Sequence, residues 1–524
     1  MANLIYLRVW GELLESKGAS LYWLKAPARP EHFIALMINV ILLGLLLLGW
    51  MTGLRARRAL ALWLMPAGGL LILTSLVNSV RTLAGTSLFL RFVERGAPAL
   101  GVLAAILITL ALMFGGLRAL KPVYALLLLL APLVPLFFGQ ALYQVRAFDA
   151  SSAADGPMAS WLPPKPASSP RVVWVIFDEW DQELTFPERP PSLHLPEIDR
   201  LRDSALWATN AKTPGPGTDW SIPALITGMA LADVKASTAS ELMMRLKDGD
   251  LWIPWSRQGN VFHRAREMGF NTAVVGWAVP YCRVLKADLS DCSWWSASNQ
   301  YNSAGQTIPE LLVGQPRSLY ENVYRSPFGQ SLSTKRHIWD YDRVLARAIQ
   351  VVRDRDYGLV LLHLPVPHPP YFYDPATGRN DRGDTPVMGI FKQTQQGYID
   401  ALALTDRTIG ILRSAMEQAG VWESTTVIWS SDHPLRHRPA LDGKAVSHRV
   451  PYLVKAAGAG QAIRYEAPFS ALITKKLIEA FLSGEISRSD QVASWIDVHR
   501  SEVPLRKHAA GHARRACGEV LRDT

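Results

Sequence analysis

RVVWVIFDE, residues 171–179, is where this chain declares its fold. Val172 to Phe177 are all β-branched or aromatic, the composition of a strand buried on both faces of a sheet. The run then stops on two carboxylates, Asp178 and Glu179. Charge at the end of a fully apolar strand is costly unless it binds something. In doubly wound α/β sheets that place, the carboxyl end of the strands, is where ligands sit.

Working outward, four more runs read as strands: NTAVVGW (271–277), YGLVLLHL (357–364), TTVIWSS (425–431) and VPYLVKA (450–456). Helical periodicity lies between them, over Val261–Gly269 and Gln396–Met416. Strands alternating with helices predict an α/β domain with a largely parallel central sheet. Two further strand ends carry chemistry: His363 and His368 follow LVLL, and Asp432 with His433 follows TVIWSS. Carboxylates and neutral imidazoles form the usual ligand set for zinc or manganese. A strand-end Asp-His alone is commonly an ordinary loop pair; three strand ends converging on one chemistry is the signal.

GTDWSIPALITG, residues 217–228, supplies the reactive group. Thr218 stands where an apolar helix begins. A metal-coordinated threonine hydroxyl is a competent nucleophile, and a helix start favours bound anions. The structural alternative is that Thr218 or Ser221 caps the helix.

The first part of the chain is different in kind. Of 524 residues, 49% are hydrophobic, and they crowd toward the N-terminus. Phe33–Trp50, Ala59–Val80, Pro98–Leu117 and Pro122–Tyr143 are each long enough to span a bilayer. The expectation is an N-terminal transmembrane bundle of about four helices over 33–144. Before it, 1–32 reads as an interfacial amphipathic segment. An Ala/Ser/Pro-rich linker follows over 145–170, then the catalytic domain over 171–505 and a basic tail over 506–524. Arg55, Arg57 and Arg58, with Arg118 and Lys121, mark cytoplasmic loops by the positive-inside rule. That puts the large domain on the extracytoplasmic face of a multi-pass inner-membrane protein. Cys282 and Cys292 are close enough to bond in an oxidising compartment, and two free thiols fit the sequence as well. The net charge of +10 lacks the basic–aromatic interleaving of nucleic-acid grooves, so a membrane partner, and no nucleic acid, is expected.

These segments together resemble the alkaline phosphatase/sulfatase superfamily, and within it the membrane-anchored phosphoethanolamine and phosphoglycerol transferases of the lipoteichoic acid synthase type. VVWVIFDE is similar to the first strand and its metal-binding acid, TDWSIPALITG to the nucleophile segment, LHLPVPHPPYF to the segment with paired histidines, and VIWSSDH to the last metal pair. The resemblance implies Thr218 as nucleophile, with Asp178, Glu179, Thr218, Asp432 and His433 around zinc or manganese. His363, His368, His437, Lys444 and His448 would bind substrate or a second metal. It implies a phospholipid donor and an envelope glycan or lipid acceptor. Two departures stand out. Sulfatases use a cysteine or serine converted to formylglycine, followed by proline and arginine, where this chain has Thr218. The transferases continue SDHGE, where this chain reads SDHPLRHRP. A same-fold hydrolase, and a degenerate envelope-binding domain, are the alternatives.

Overall fold

The computed structural model describes residues 2–14, 18–56, 125, 128–148, 157–297, 305, 307–320, 332–381, 394–458 and 460–503. Its centre is an eight-stranded sheet in the order β12 (Ile463–Tyr465), β2 (Leu206–Ala208), β11 (Tyr452–Lys455), β10 (Thr426–Ser431), β1 (Val172–Asp178), β9 (Tyr357–Pro367), β7 (Asn271–Trp277), β8 (Asp291–Trp295). The middle strands are β10 (Thr426–Ser431), β1 (Val172–Asp178), β9 (Tyr357–Pro367) and β7 (Asn271–Trp277). They run parallel, with β8 (Asp291–Trp295) parallel at one edge. On the other side, β11 (Tyr452–Lys455) is antiparallel to β10 and to β2 (Leu206–Ala208), and β12 (Ile463–Tyr465) closes the edge parallel to β2. All five strands expected from sequence are present. VPYLVKA forms an antiparallel one, a direction its apolar pattern does not encode.

Because strand side chains alternate, each central strand feeds two cores. Trp174, Ile176, Leu359, Leu361 and Ile428 pack on one face with Ile222, Leu225 and Ile226 of the helix Thr218–Thr227. Val173, Val175, Phe177, Leu362, Val427 and Trp429 pack on the other, beneath the helices Leu332–Arg353 and Gln395–Gln418. This two-sided cover explains why the central strands read as unbroken apolar runs.

The N-terminal region departs from expectation. The segment read as interfacial forms a short helix, Leu7–Leu14, whose Val9, Trp10 and Leu13 are buried. They pack with Phe33, Leu36 and Val40 of the helix Pro30–Ala56 and with Phe137, Phe138 and Ala141 of the helix Leu133–Arg146. Its apolar face is therefore satisfied by protein. Of the four segments read as spans, the two at 59–80 and 98–117 lie outside the described residues. Among the described residues one helix, over Pro30–Trp50, is long and apolar enough to cross a membrane. A transmembrane bundle is thus not what the described residues show. The tail over 506–524 also lies outside them. The linker is described from residue 157, and there it runs along the α/β domain: Leu162 exchanges two hydrogen bonds with the Asn271 side chain, at 2.8 and 2.9 Å.

Tyr22 joins the core under the sheet. Buried Arg283 donates to the carbonyls of Leu21, Leu24 and Lys25, and Asn39 bonds Gln315 at 3.1 Å. The start of the chain is stitched to the α/β domain before the apolar helix leaves it.

Candidate metal centre and nucleophile

Strand parity builds the site. Asp178 shares the face of Trp174 and Ile176, and Asp432 continues the face of Ile428. His363 pairs in register with Ile176 and follows Leu359 and Leu361 on the same face. All three side chains emerge on the side covered by the helix Thr218–Thr227. Their ligand atoms lie within 4.8 Å of one another, and all three residues are buried.

The helix begins at Thr218 itself; the N-cap is Gly217, which has no side chain with which to cap the turn. The capping alternative for Thr218 therefore fails. Its Oγ1 instead lies 3.3 Å from Asp178 Oδ2, to which it donates, and 3.3 Å from His433 Nε2. His433 Nδ1 is 3.0 Å from the Pro434 carbonyl, which only accepts, so Nδ1 carries a proton. Its Nε2 faces Thr218, Asp178 Oδ1 (3.5 Å) and Asp432 Oδ2 (3.3 Å).

Three carboxylates meet in the interior: Asp178 and Glu179, 1% and 0% exposed, and Asp432, 0% exposed. Burial, with the charges of Asp432 and Glu179, pushes the Asp178 carboxyl well above the usual carboxylate range. Glu179 is also raised by burial, but the Arg436 guanidinium and nearby imidazoles outweigh it and hold it at about 2. Burial lowers His363 and His368 each to about 4, so both rings are neutral at pH 7. Asp178 Oδ1, Asp432 Oδ2 and His363 Nε2 have no hydrogen-bond partner among the described residues. Buried polar atoms are almost always satisfied. Three orphaned acceptors among excess negative charge are what a divalent cation would complete, and carboxylate plus neutral imidazole is the donor set for zinc or manganese. The residues fit the metal that the resemblance implies.

The other expected residues divide. Glu179 takes a positive φ of 66° and turns its side chain to Arg436, Nε to Oε1 at 2.7 Å, rather than joining the three-residue cluster. His368 lies outside that cluster, with its Nε2 3.4 Å from Arg436 Nη2. His437 is half-buried within the field of Glu179, Arg436 and His433, and burial lowers its pKa. Lys444 is not brought in: it is exposed and pairs with Glu188 at 2.8 Å. His448 contributes a carbonyl to the Thr213 N–H at 3.0 Å.

Arg436 reads in the sequence, with Arg438 and Lys444, as either a phosphate contact or part of a solvated basic loop. One contributor was missed in the sequence: Tyr281 carried no signal beyond adjacency to Cys282, and its hydroxyl lies 2.8 Å from His363 Nδ1. For His363 Nε2 to ligate a cation, Nδ1 must carry the proton and Tyr281 must accept it, a second-layer contact of the kind that orients metal-binding imidazoles. Cys282 and Cys292 are disulfide-bonded, joining the short helix Tyr281–Val284 to β8.

Gly276 makes room for Tyr281. A Cβ there would lie 2.3 Å from Tyr281 Cε2. Gly276→Ala is expected to cost roughly 1–3 kcal/mol in denaturant unfolding and to weaken metal affinity about tenfold by displacing Tyr281 from His363. Unchanged affinity in a calorimetric titration would show that Tyr281 does not set that ring.

The sulfatase family model matches residues 170–497. An ulvan-active sulfatase of Formosa agariphila is 24% identical over 319 residues, covering 56% of this chain and 57% of that protein. The chain thus spans little more than half the length of that curated relative. Among solved structures, the phosphonate monoester hydrolase of Agrobacterium radiobacter is 14% identical, with a TM-score of 0.41 over 60% of this chain and 74% of that one. The phosphonate monoester hydrolase from Silicibacter pomeroyi is 15% identical, with a TM-score of 0.43 over 60% and 73%. A family match that takes in more than half of the chain, including every residue of the buried cluster, makes this protein a member of the sulfatase family.

Proposed function

We propose that this chain is a membrane-anchored, metal-dependent transferase that moves a phosphoethanolamine or phosphoglycerol group from a phospholipid to an envelope glycan or lipid through a Thr218-linked intermediate. One observation carries the reading: a threonine hydroxyl that does not cap its helix lies 3.3 Å from Asp178 Oδ2 and 3.3 Å from His433 Nε2. Threonine cannot become the formylglycine of sulfate-ester hydrolysis, so the chemistry supported is phosphoryl transfer. A divalent cation held by Asp178, Asp432, His433 and His363, the last expected at substrate or a second metal, would supply charge neutralisation and a lowered hydroxyl pKa.

The chain's own groups do the rest. Thr218 Oγ1 attacks phosphorus as its proton passes to Asp178 Oδ2, the oxygen to which it already donates. An Oγ1–P bond forms, the bond from phosphorus to the lipid oxygen breaks, and diacylglycerol leaves with a proton. The acceptor oxygen then forms its own bond to phosphorus and releases Thr218. Ile41, Leu42, Leu45, Leu46 and Leu48 on the helix Pro30–Ala56 are exposed, as are Leu133, Val134, Leu136 and Leu142 near the helix Leu133–Arg146. That apolar surface supports a bilayer anchor, and the Arg283 contacts hold it against the catalytic domain. The extracytoplasmic disposition fits the disulfide.

A second reading, a hydrolase of the same fold, is favoured by the relative's description as a sulfatase. Intact-mass analysis separates them. The full chain in detergent is incubated with phosphatidylethanolamine or phosphatidylglycerol and zinc or manganese. A head-group–phosphate adduct that an added acceptor discharges supports transfer. Release of free head-group phosphate alone supports hydrolysis, and no adduct with either lipid rejects the transferase.

A further inference from the structure

We infer that Arg436 is the residue that grips the non-bridging oxygens of the group delivered to Thr218. The inference deepens the proposed function and rests on its assignment of Thr218. As sequence, Arg436 belongs to the loop SDHPLRHRP and reads, like Arg438 and Lys444, as either a phosphate contact or a solvated cation. The structure separates them. Arg438 is buried against Asp181, Glu188 and Asp442, and Lys444 is exposed against Glu188, so both charges are consumed away from the cluster. Arg436 turns inward, its side chain 22% exposed.

Its guanidinium is held at two nitrogens. Nε donates to Glu179 Oε1 at 2.7 Å. Nη2 donates to His368 Nε2 at 3.4 Å. The acceptor role of that imidazole nitrogen is set, since His368 Nδ1 lies 2.6 Å from the Pro369 carbonyl and must carry the ring proton. Glu179 reaches the arginine through its left-handed backbone, φ 66°, a conformation rarely held by a non-glycine residue without a functional reason. The third nitrogen, Nη1, lies by the turn that opens the Thr218 helix: a Cβ on Gly217, the N-cap residue before Thr218, would lie 3.5 Å from it. Asp178 and Asp432 both act on this guanidinium electrostatically. A fork with two nitrogens held and the third at the start of the nucleophile's helix is preorganised for a tetrahedral oxyanion. Sulfatases carry an arginine just after their nucleophile; here residue 222 and its neighbours Ser221 and Pro223 offer none, and the charge arrives from a different loop.

Lysine cannot reproduce this. It has one nitrogen and cannot be held by Glu179 and His368 while also facing Thr218.

The test is inorganic phosphate binding to the full chain in detergent, by calorimetry with saturating manganese, beside metal content and turnover. Arg436→Ala is expected to weaken phosphate binding by roughly 10–100-fold with bound manganese unchanged. Guanidinium ion should restore part of its kcat/KM while leaving the wild type unaffected, and Arg436→Lys should recover little. Since Arg436→Ala strands Glu179 in the interior, the double variant Glu179→Gln/Arg436→Gln replaces the ion pair by an amide pair and must show the same loss. Phosphate binding equal to wild type in either variant overturns the inference, as does loss of manganese from Arg436→Ala, which would make Arg436 a support of the metal site. The outcomes also separate this inference from the reading beneath it. A wild type that forms no lipid adduct, but loses phosphate binding on Arg436→Ala, removes the transferase and leaves the arginine subsite standing.

Discussion

Thr218→Ala is expected to lower turnover by roughly 10⁴-fold or more, remove any covalent adduct, and leave thermal stability almost unchanged. The two halves of that result come from different parts of the structure. Turnover depends on Oγ1, whose hydrogen-bond neighbours are Asp178 Oδ2 and His433 Nε2. Stability of the helix depends on Ile222, Leu225 and Ile226 in the core and on Gly228, which ends it in the left-handed conformation. Had Thr218 been the cap, alanine would cost about 0.5–2 kcal/mol; the cap is Gly217. Thr218→Ser keeps the hydroxyl and should retain measurable turnover. Steady-state kinetics and a melting curve on the same preparations check both halves. An alanine variant that still turns over at near wild-type rate removes Thr218 as nucleophile.

Asp432→Asn should be comparably damaging for a different reason. Asp432 Oδ1 accepts from the backbone N–H groups of Glu179 and His433, at 3.3 and 2.7 Å, and an asparagine oxygen can keep both bonds. Oδ2 is the orphan facing His433 Nε2. An amide nitrogen there is a poor metal ligand, so the expected result is loss of bound metal and a fall in turnover of roughly 10³-fold, matching several kcal/mol of charge stabilisation. The stability signature is opposite in sign to most buried-polar substitutions. Without metal, Asp432 is one of the charges that keep the Asp178 carboxyl raised. Removing it relieves repulsion, so metal-free Asp432→Asn should unfold at or above the metal-free wild type. With metal at about 100 times its dissociation constant the wild type gains about 2.7 kcal/mol and the order reverses. Melting curves with metal and with chelator, alongside metal analysis, read this crossover. Stoichiometric metal in the variant would place the cation elsewhere.

Much of the site is legible in the chain because strand ends are local. VVWVIF, LVLLHL and TVIWSS each end in ligand-type residues, and parallel strands bring such ends to one edge of a sheet without further instruction. Asp178, His363 and Asp432 occupy one face by the period-two alternation alone. The helix at Thr218 is announced by its apolar run and by the glycines on either side.

What the order of residues determined, then, is the α/β sheet, the carboxylate–imidazole chemistry of its edge, and the hydroxyl that faces it, because each depends on neighbours within a few positions. Tertiary structure decided the rest, because it depends on residues far apart meeting in three dimensions. β11 runs against β10 through pairing across about 25 residues of chain, and against β2 from the far part of the domain. Trp10 and Leu13 face protein because the helices Pro30–Ala56 and Leu133–Arg146 cover them. Glu179 turns from ligand to ion-pair partner because Arg436, 257 positions away, reaches it. Tyr281 and His363 meet because Gly276 leaves the space between β7 and that ring. Periodicity specifies which face a side chain takes; long-range packing specifies what waits for it there.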